Sequence, residues 1–344
     1  LNRKKWLIVL CVPALLLISL LTAGVLLAKE DTEKDEGLTN QYDVSVNKTI
    51  AYVTYQLGTP VLNVYNEENN ERQTIVKLEN DKRILDPSFS ADGKLLAFVV
   101  QNKDMENDPF SSVRVIDLET KKTRELFSNK DLVTEVEFGK NDTSLFFLGA
   151  GTFTNYSPIT GKRPHDFDIF QYSFTTEAIE KLTDMKKYSM TSLVVSGDGS
   201  MLYLQSDDDS QAKTAEEIFD TKQRIFSISL EDPGHYVVSE PDKNLDIFDF
   251  AFTPDGKHLI YQAIANLESG GTFQYELYSY DFETKEGKQL TNMESYASHP
   301  VVAAEGQTVY FMVDSKFGKD NNGEWHLYKL DLEEKNPVEV FLPS

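Results

Sequence analysis

Polar and apolar positions alternate in short runs along most of the chain, and the runs fall into a pattern that repeats. Between residues 86 and 127, four runs read as strands: 88–91, 95–100, 113–118 and 123–127. Asp92-Gly93 separates the first two as a tight turn, in which glycine takes positive φ without steric cost. Leu95 to Val100 is continuously apolar, as a strand covered on both faces must be. Val113, Val115, Ile116 and Leu118 carry the apolar face of the third run, and a polar turn at 119–122 leads into the fourth.

The turn and second strand recur at Asp198-Gly199, Asp255-Gly256 and Glu305-Gly306, each followed by an apolar run. Asn141-Asp142 repeats the turn with Asp in the glycine place, and Val46-Asn47 with Asn there; both tolerate left-handed backbone better than most residues. From Asn47, Gly93, Asp142, Gly199, Gly256 and Gly306 the spacings are 46, 49, 57, 57 and 50 residues. The third run recurs at 61–65, 169–174, 225–230, 277–282 and 327–332. A lone four-stranded sheet leaves apolar faces that neighbours around a ring can cover. Six such units therefore predict an all-β fold, a six-bladed β-propeller of four-stranded antiparallel blades.

The run Asp86-Pro87-Ser88-Phe89-Ser90-Ala91-Asp92-Gly93-Lys94-Leu95-Leu96-Ala97-Phe98 is echoed by residues 252–261. It resembles the WD40-like repeat of TolB-like six-bladed propellers, and the resemblance spans residues 42–342. It implies a protein that binds a protein or cell-envelope component and lacks chemistry of its own. Where TolB-like proteins carry a further N-terminal domain, this sequence has an apolar segment.

That segment begins after Arg3, Lys4 and Lys5 and runs from Trp6 to Ala28 without a charge. At about 1.5 Å per residue it makes some 34 Å of helix, enough to cross a hydrocarbon core of ~30 Å. A cleaved signal peptide would have a shorter apolar region ending at a small-x-small site, for which Thr22-Ala23-Gly24 is the only tolerable match and Leu26-Leu27-Ala28 a poor one. The expectation is a cytoplasmic basic end at 1–5, a transmembrane signal anchor at 6–28, a charged linker at 29–41 and the propeller at 42–344. Basic residues before the span place the propeller outside the cytoplasm, at the cell membrane.

Composition narrows the function classes. The net charge is −22, and residues 1–28 contribute only positive charges to it. A surface that acidic repels phosphate backbones, so nucleic acid is excluded as a partner. The single cysteine, Cys11, lies inside the apolar run and leaves no disulfide, zinc cluster or cysteine nucleophile.

Counting seven residues back from each turn position lands on Asp86, Glu135, Ser192, Asp249 and His299, with Asn40 or Gln41 in the first unit. Innermost strands line a propeller's channel, so these polar side chains are expected to ring one mouth of it. A water-filled mouth is polar for that reason alone; the ring would also suit a cation or a partner's basic tip. The connections at 149–168, 205–223, 262–275 and 314–324 are long and emerge on one face. On or beside them, Phe153, Tyr156, His165, Phe317 and Trp325 are candidate partner anchors. His165-Asp166-Phe167-Asp168 offers metal-ligand types without a full ligand set. No Gly-x-Ser-x-Gly elbow, His-Glu-x-x-His or nucleotide fingerprint is present, so no catalytic residue, metal or cofactor is assigned. The alternative is a glycosidase- or lactonase-like propeller enzyme using the channel-mouth carboxylates, with calcium.

Overall fold

The repeated turns close with one geometry. In the computed structural model, Gly93, Gly199, Gly256 and Gly306 take φ between +69° and +79°, and Asp142 takes +53°. Each of these residues donates its amide to the carbonyl three residues back. The first repeat departs from expectation, because its left-handed residue is Lys48 at +55° rather than Asn47. There Ser45 pairs with Thr49, while the equivalent Ser90 pairs with Leu95, so the loop is one residue shorter. That shift settles the register of the first unit and makes Gln41 the residue seven positions before the turn.

The structure describes residues 35–152, 164–214, 217, 220–234, 236–238, 245–319 and 323–343. The first sheet is β1 (Gly37–Val44), β2 (Thr49–Gln56), β3 (Thr59–Asn66) and β4 (Glu71–Lys77). The second is β5 (Lys82–Phe89), β6 (Leu95–Asn102), β7 (Ser111–Asp117) and β8 (Lys122–Asn129). The third is β9 (Leu132–Phe138), β10 (Ser144–Thr152), β11 (His165–Ser173) and β12 (Ile179–Lys181). The fourth is β13 (Met190–Val195), β14 (Met201–Asp207), β15 (Gln223–Ser229) and β16 (Tyr236–Val238). Next come β17 (Asp249–Phe252), β18 (His258–Ile264), β19 (Tyr275–Asp281) and β20 (Gly287–Gln289). The last are β21 (Tyr296–Val302), β22 (Thr308–Asp314), β23 (Trp325–Asp331) and β24 (Val338–Val340).

Within each group the strands pair antiparallel in chain order, and one parallel pairing, Tyr275 with Tyr296, joins the last two groups into an eight-stranded sheet. The first strands touch in cyclic order, β1 to β5, β9, β13, β17, β21 and back to β1. This is a β-propeller. Its apolar core lies between adjacent sheets. Ala97, Val99 and Val113 meet Val136, Leu145 and Phe147 in one such layer. Tyr42, Ile50 and Tyr52 meet Tyr310, Met312 and Leu327 in the layer that closes the ring. Each fully buried large side chain contributes roughly 1.5–3 kcal/mol.

Three boundaries differ from the sequence reading. β1 starts at Gly37, so residues 37–41 belong to the first sheet instead of the linker; Leu38 packs against the closing layer and draws them in. β5 starts at Lys82, because a bulge between Leu85 and Ser88 lets the strand continue where alternation breaks. β11 starts at His165, paired with Thr152, so the connection before it is 153–164. Among the described residues no helix is long and apolar enough to cross a membrane; residues 6–28 lie outside them.

Candidate functional site

The inner strands bring the polar ring together by way of bulges. Register shifts fall at Leu85/Ser88 in β5, Thr191/Val194 in β13 and Ser298/Val301 in β21. At these bulges Asp86, Ser192 and His299 take left-handed backbone, with φ of +45°, +57° and +52°.

Ring residues clasp each sheet to the next. The Gln41 side chain accepts the Asp86 amide at 2.7 Å, and the Asp86 carboxylate accepts the Val136 amide at 2.6 Å. Glu135 accepts the amides of Ser192 at 3.0 Å and Leu193 at 2.8 Å. The Ser192 hydroxyl donates to Asp249 at 2.7 Å, and Asp249 accepts the His299 amide at 2.8 Å. Tyr42 closes the circuit by donating to the His299 carbonyl. Each such hydrogen bond is worth about 0.5–1.5 kcal/mol net, and more where the acceptor is ionised. The ring is first of all a set of fasteners.

Two residues further along each inner strand lies a second tier that the sequence reading missed. It consists of Asp43, Ser88 and Glu137 on one side, and Val194, Ala251 and Val301 on the other. Both tiers, Gln41 apart, line a single cavity of about 580 Å³. The Ser88 hydroxyl donates to Glu137 at 3.0 Å, and Asp43 accepts the Phe89 amide at 2.7 Å. Counting five residues back from each turn position, as seven back named the first tier, lands on these six residues, and that signal was available.

Protein surrounds these acids on every side, while each keeps some surface open to the channel. Burial pushes Asp43 up to about 7, against the pull of two backbone amides, and Glu135 also to about 7. Glu137 is pushed to about 8 by burial and then by the charge on Asp43. Asp86 is raised well above the usual carboxylate range by burial and by Glu135. Among the described residues no three His, Cys, Asp or Glu side chains are grouped to hold a metal ion.

Beside the channel runs a shelf of half-buried aromatic rings. Tyr296, at the start of β21, lies 4.8 Å from Tyr275 and 4.8 Å from Phe317 between ring centroids, and Trp325 stands edge-on to it at 6.1 Å. Trp325 is also 6.4 Å from the His299 ring, and Phe248 meets Tyr275 at 5.2 Å. Phe317 and Trp325 are therefore joined to the ring through Tyr296 and His299. Sequence reasoning named Phe317 and Trp325 but not Tyr275, Tyr296 or Phe248, which are strand and strand-end residues.

The remaining candidates fall elsewhere. Phe153 and Tyr156 lie outside the described residues. His165 opens β11 and is buried, so its ring is not presented on the loop face. Asp168 is buried too, accepting from the Thr183 hydroxyl and the Met185 amide and pairing with Lys181 at 2.8 Å. The acidic turn at 207–209 holds a buried cation: Lys187 pairs with Asp209 and donates to the Asp207 carbonyl at 3.0 Å.

No protein-family model matches the chain, and no curated protein does. Solved structures do. TolB from Acinetobacter baumannii superposes with a TM-score of 0.59 at 17% identity, over 85% of this chain and 63% of that one. The β-propeller domain of the Trilobed protease from Pyrococcus furiosus gives 0.54 at 16%, over 90% and 85%. Oligogalacturonate lyase from Vibrio parahaemolyticus gives 0.55 at 15%, over 86% and 78%. The chain spans less than two thirds of TolB's length. At these identities the likeness is one of fold: the described residues form a TolB-like β-propeller.

Proposed function

We propose that this chain is a six-bladed propeller held outside the cytoplasm by a transmembrane signal anchor at 6–28, with its N-terminus cytoplasmic. In this reading it binds a protein or cell-envelope partner, through the channel mouth and the aromatic shelf beside it, without chemistry of its own. The observation that carries the reading is the circuit of clasps. Asp86, Glu135 and Asp249 already accept backbone amides of the adjacent sheet, so the ring serves to hold the surface in shape. A rigid rim with half-buried aromatic rings suits partner anchoring.

The test is in-cell crosslinking from position 316, in the β22–β23 connection, and position 268, in the β18–β19 connection. Antiparallel pairing puts positions 119 and 283 on the opposite rim as controls. The expected result is one partner captured from 316 and 268 and not from the controls. Equal capture from both rims overturns the loop-face assignment.

One observation favours the enzyme reading. Glu137 lines the cavity, accepts from the Ser88 hydroxyl, accepts no backbone amide among the described residues, and is pushed to about 8. A carboxyl protonated near neutral pH is what a general acid requires. Turnover of oligosaccharides or lactones by the wild-type chain, lost in Glu137→Gln, would establish it.

A further inference from the structure

The channel is two-sided in a way that specifies a ligand. On one wall stand Asp43 and Glu137; on the other, Val194, Ala251 and Val301 present aliphatic surface to the same cavity of about 580 Å³. A bare metal ion would leave that apolar wall facing a charge, whereas an aliphatic stem ending in a cation matches both walls.

The aromatic shelf extends the argument beyond the cavity. Phe248 and Tyr296 line the channel, and from Tyr296 the rings continue outward to Tyr275, Phe317 and Trp325. Ring faces attract cations and pack against extended backbone. A free amine would leave most of this shelf uncovered. A peptide would cover it.

We propose that the channel takes the side chain of a lysine or arginine presented by an extended segment of a protein partner. The stem lies along Val194, Ala251 and Val301, the charged head sits at Asp43 and Glu137, and the flanking backbone rests on the aromatic shelf. This deepens the partner-binding reading and depends on it.

The test is calorimetric titration of the full chain, in detergent micelles at pH 9, above the values of about 7 and about 8 to which burial pushes Asp43 and Glu137, with acetyl-Gly-Gly-Lys-Gly-Gly-amide, its arginine counterpart and its norleucine counterpart. Lysine and arginine peptides are expected to bind at least about tenfold more tightly than the norleucine peptide, with affinity falling as salt is added. Glu137→Gln keeps the side-chain shape and is expected to weaken the lysine peptide about tenfold. Ala251→Leu fills the aliphatic wall and is expected to weaken it as well; Asp117→Asn, at the end of β7 on the opposite rim, is not. Thermal melts identify any variant that fails to fold. Equal binding of the norleucine peptide, or unchanged binding by both folded channel variants, overturns the proposal. So does spermidine binding as tightly as the peptide, which would assign the site to free amines, or calcium chloride saturating it alone. If no peptide binds while position 316 still captures a partner, the inference fails and the partner-binding reading stands; if neither occurs, both fail.

Discussion

The Tyr42 hydroxyl donates to the His299 carbonyl at 2.6 Å, and this bond joins the first strand of the first sheet to the first strand of the last. Among the described residues no strand is exchanged between those two sheets, and side chains join them. Tyr52 adds a bond to the Pro343 carbonyl at 2.6 Å, and Lys329 pairs with Glu67 at 2.7 Å. Tyr42→Phe removes one of these links while keeping the ring volume. Urea denaturation should show a loss of roughly 1 kcal/mol, more if the carbonyl is left unmet. An unchanged midpoint would mean that the apolar layer alone closes the ring.

The acidic channel gives the fold an inverted pH dependence. Asp43 and Glu135 are pushed to about 7 and Glu137 to about 8, while in the unfolded chain each titrates near its ordinary value. Between the two values the folded state holds protons that the unfolded chain has released. The resulting stability is complete below the unfolded values and is lost as pH rises through 7 to 8. Melting temperature should therefore fall from about pH 5 to about pH 9. Glu137→Gln, which cannot ionise, should fall less steeply. A melting temperature that rises over this range would refute the burial of these acids.

At the acid end of the scale the opposite sign applies to the turn aspartates. Hydrogen bonds within their own turns hold Asp92 and Asp198 at about 2. Their contribution is present above the ordinary carboxylate value and is lost as pH falls toward 2. Melting temperature should pass through a maximum and decline again below about pH 4.

Turn glycines can be ranked by what a methyl group would meet. Gly256 at φ +69° has open space around it, so Gly256→Ala should cost only the left-handed backbone strain, about 1–2 kcal/mol. At Gly199 the added carbon would come 2.9 Å from the Lys140 Cβ, and Gly199→Ala should cost more. Lys48 holds the same backbone without being glycine, so Lys48→Gly should stabilise by about 0.5–1 kcal/mol. Thermal melts of the three variants decide the order.

Lys187 is buried beside the acidic turn, with its ammonium 5.1 Å from the Phe226 ring centre. Lys187→Met should cost about 2 kcal/mol, below the value for a fully buried pair because Asp209 stays partly in water. Limited proteolysis should show faster cleavage in the β14–β15 connection. Wild-type resistance in the variant would mean that the turn holds itself.

Most of the architecture was legible because the repeat is local. Turn residues, apolar runs and the far ends of the long connections after β14, β18 and β22 come from neighbours in sequence, and β15, β19 and β23 open at 223, 275 and 325 as the spacing put them, while β14 and β18 run two residues past the expected starts of their connections. The ring was legible for the same reason: one offset from one turn names Asp86, Glu135, Ser192, Asp249 and His299. The departures at Asn47, Gly37 and His165 are places where a loop length or a distant packing partner moved a boundary.

Periodicity alone determined that four-stranded units recur and that each presents a polar residue at the same height. Only the folded ring decided what those residues do. Carboxylates that look like a free acidic cluster in the sequence are bound to the next sheet's amides, because ring closure sets residues some fifty positions apart at hydrogen-bond distance. Likewise Tyr275 and Tyr296 are ordinary strand residues until the one parallel pairing brings them together and makes a shelf. Spacing encodes the units, and contact between units, which no local pattern records, decides the surface they offer.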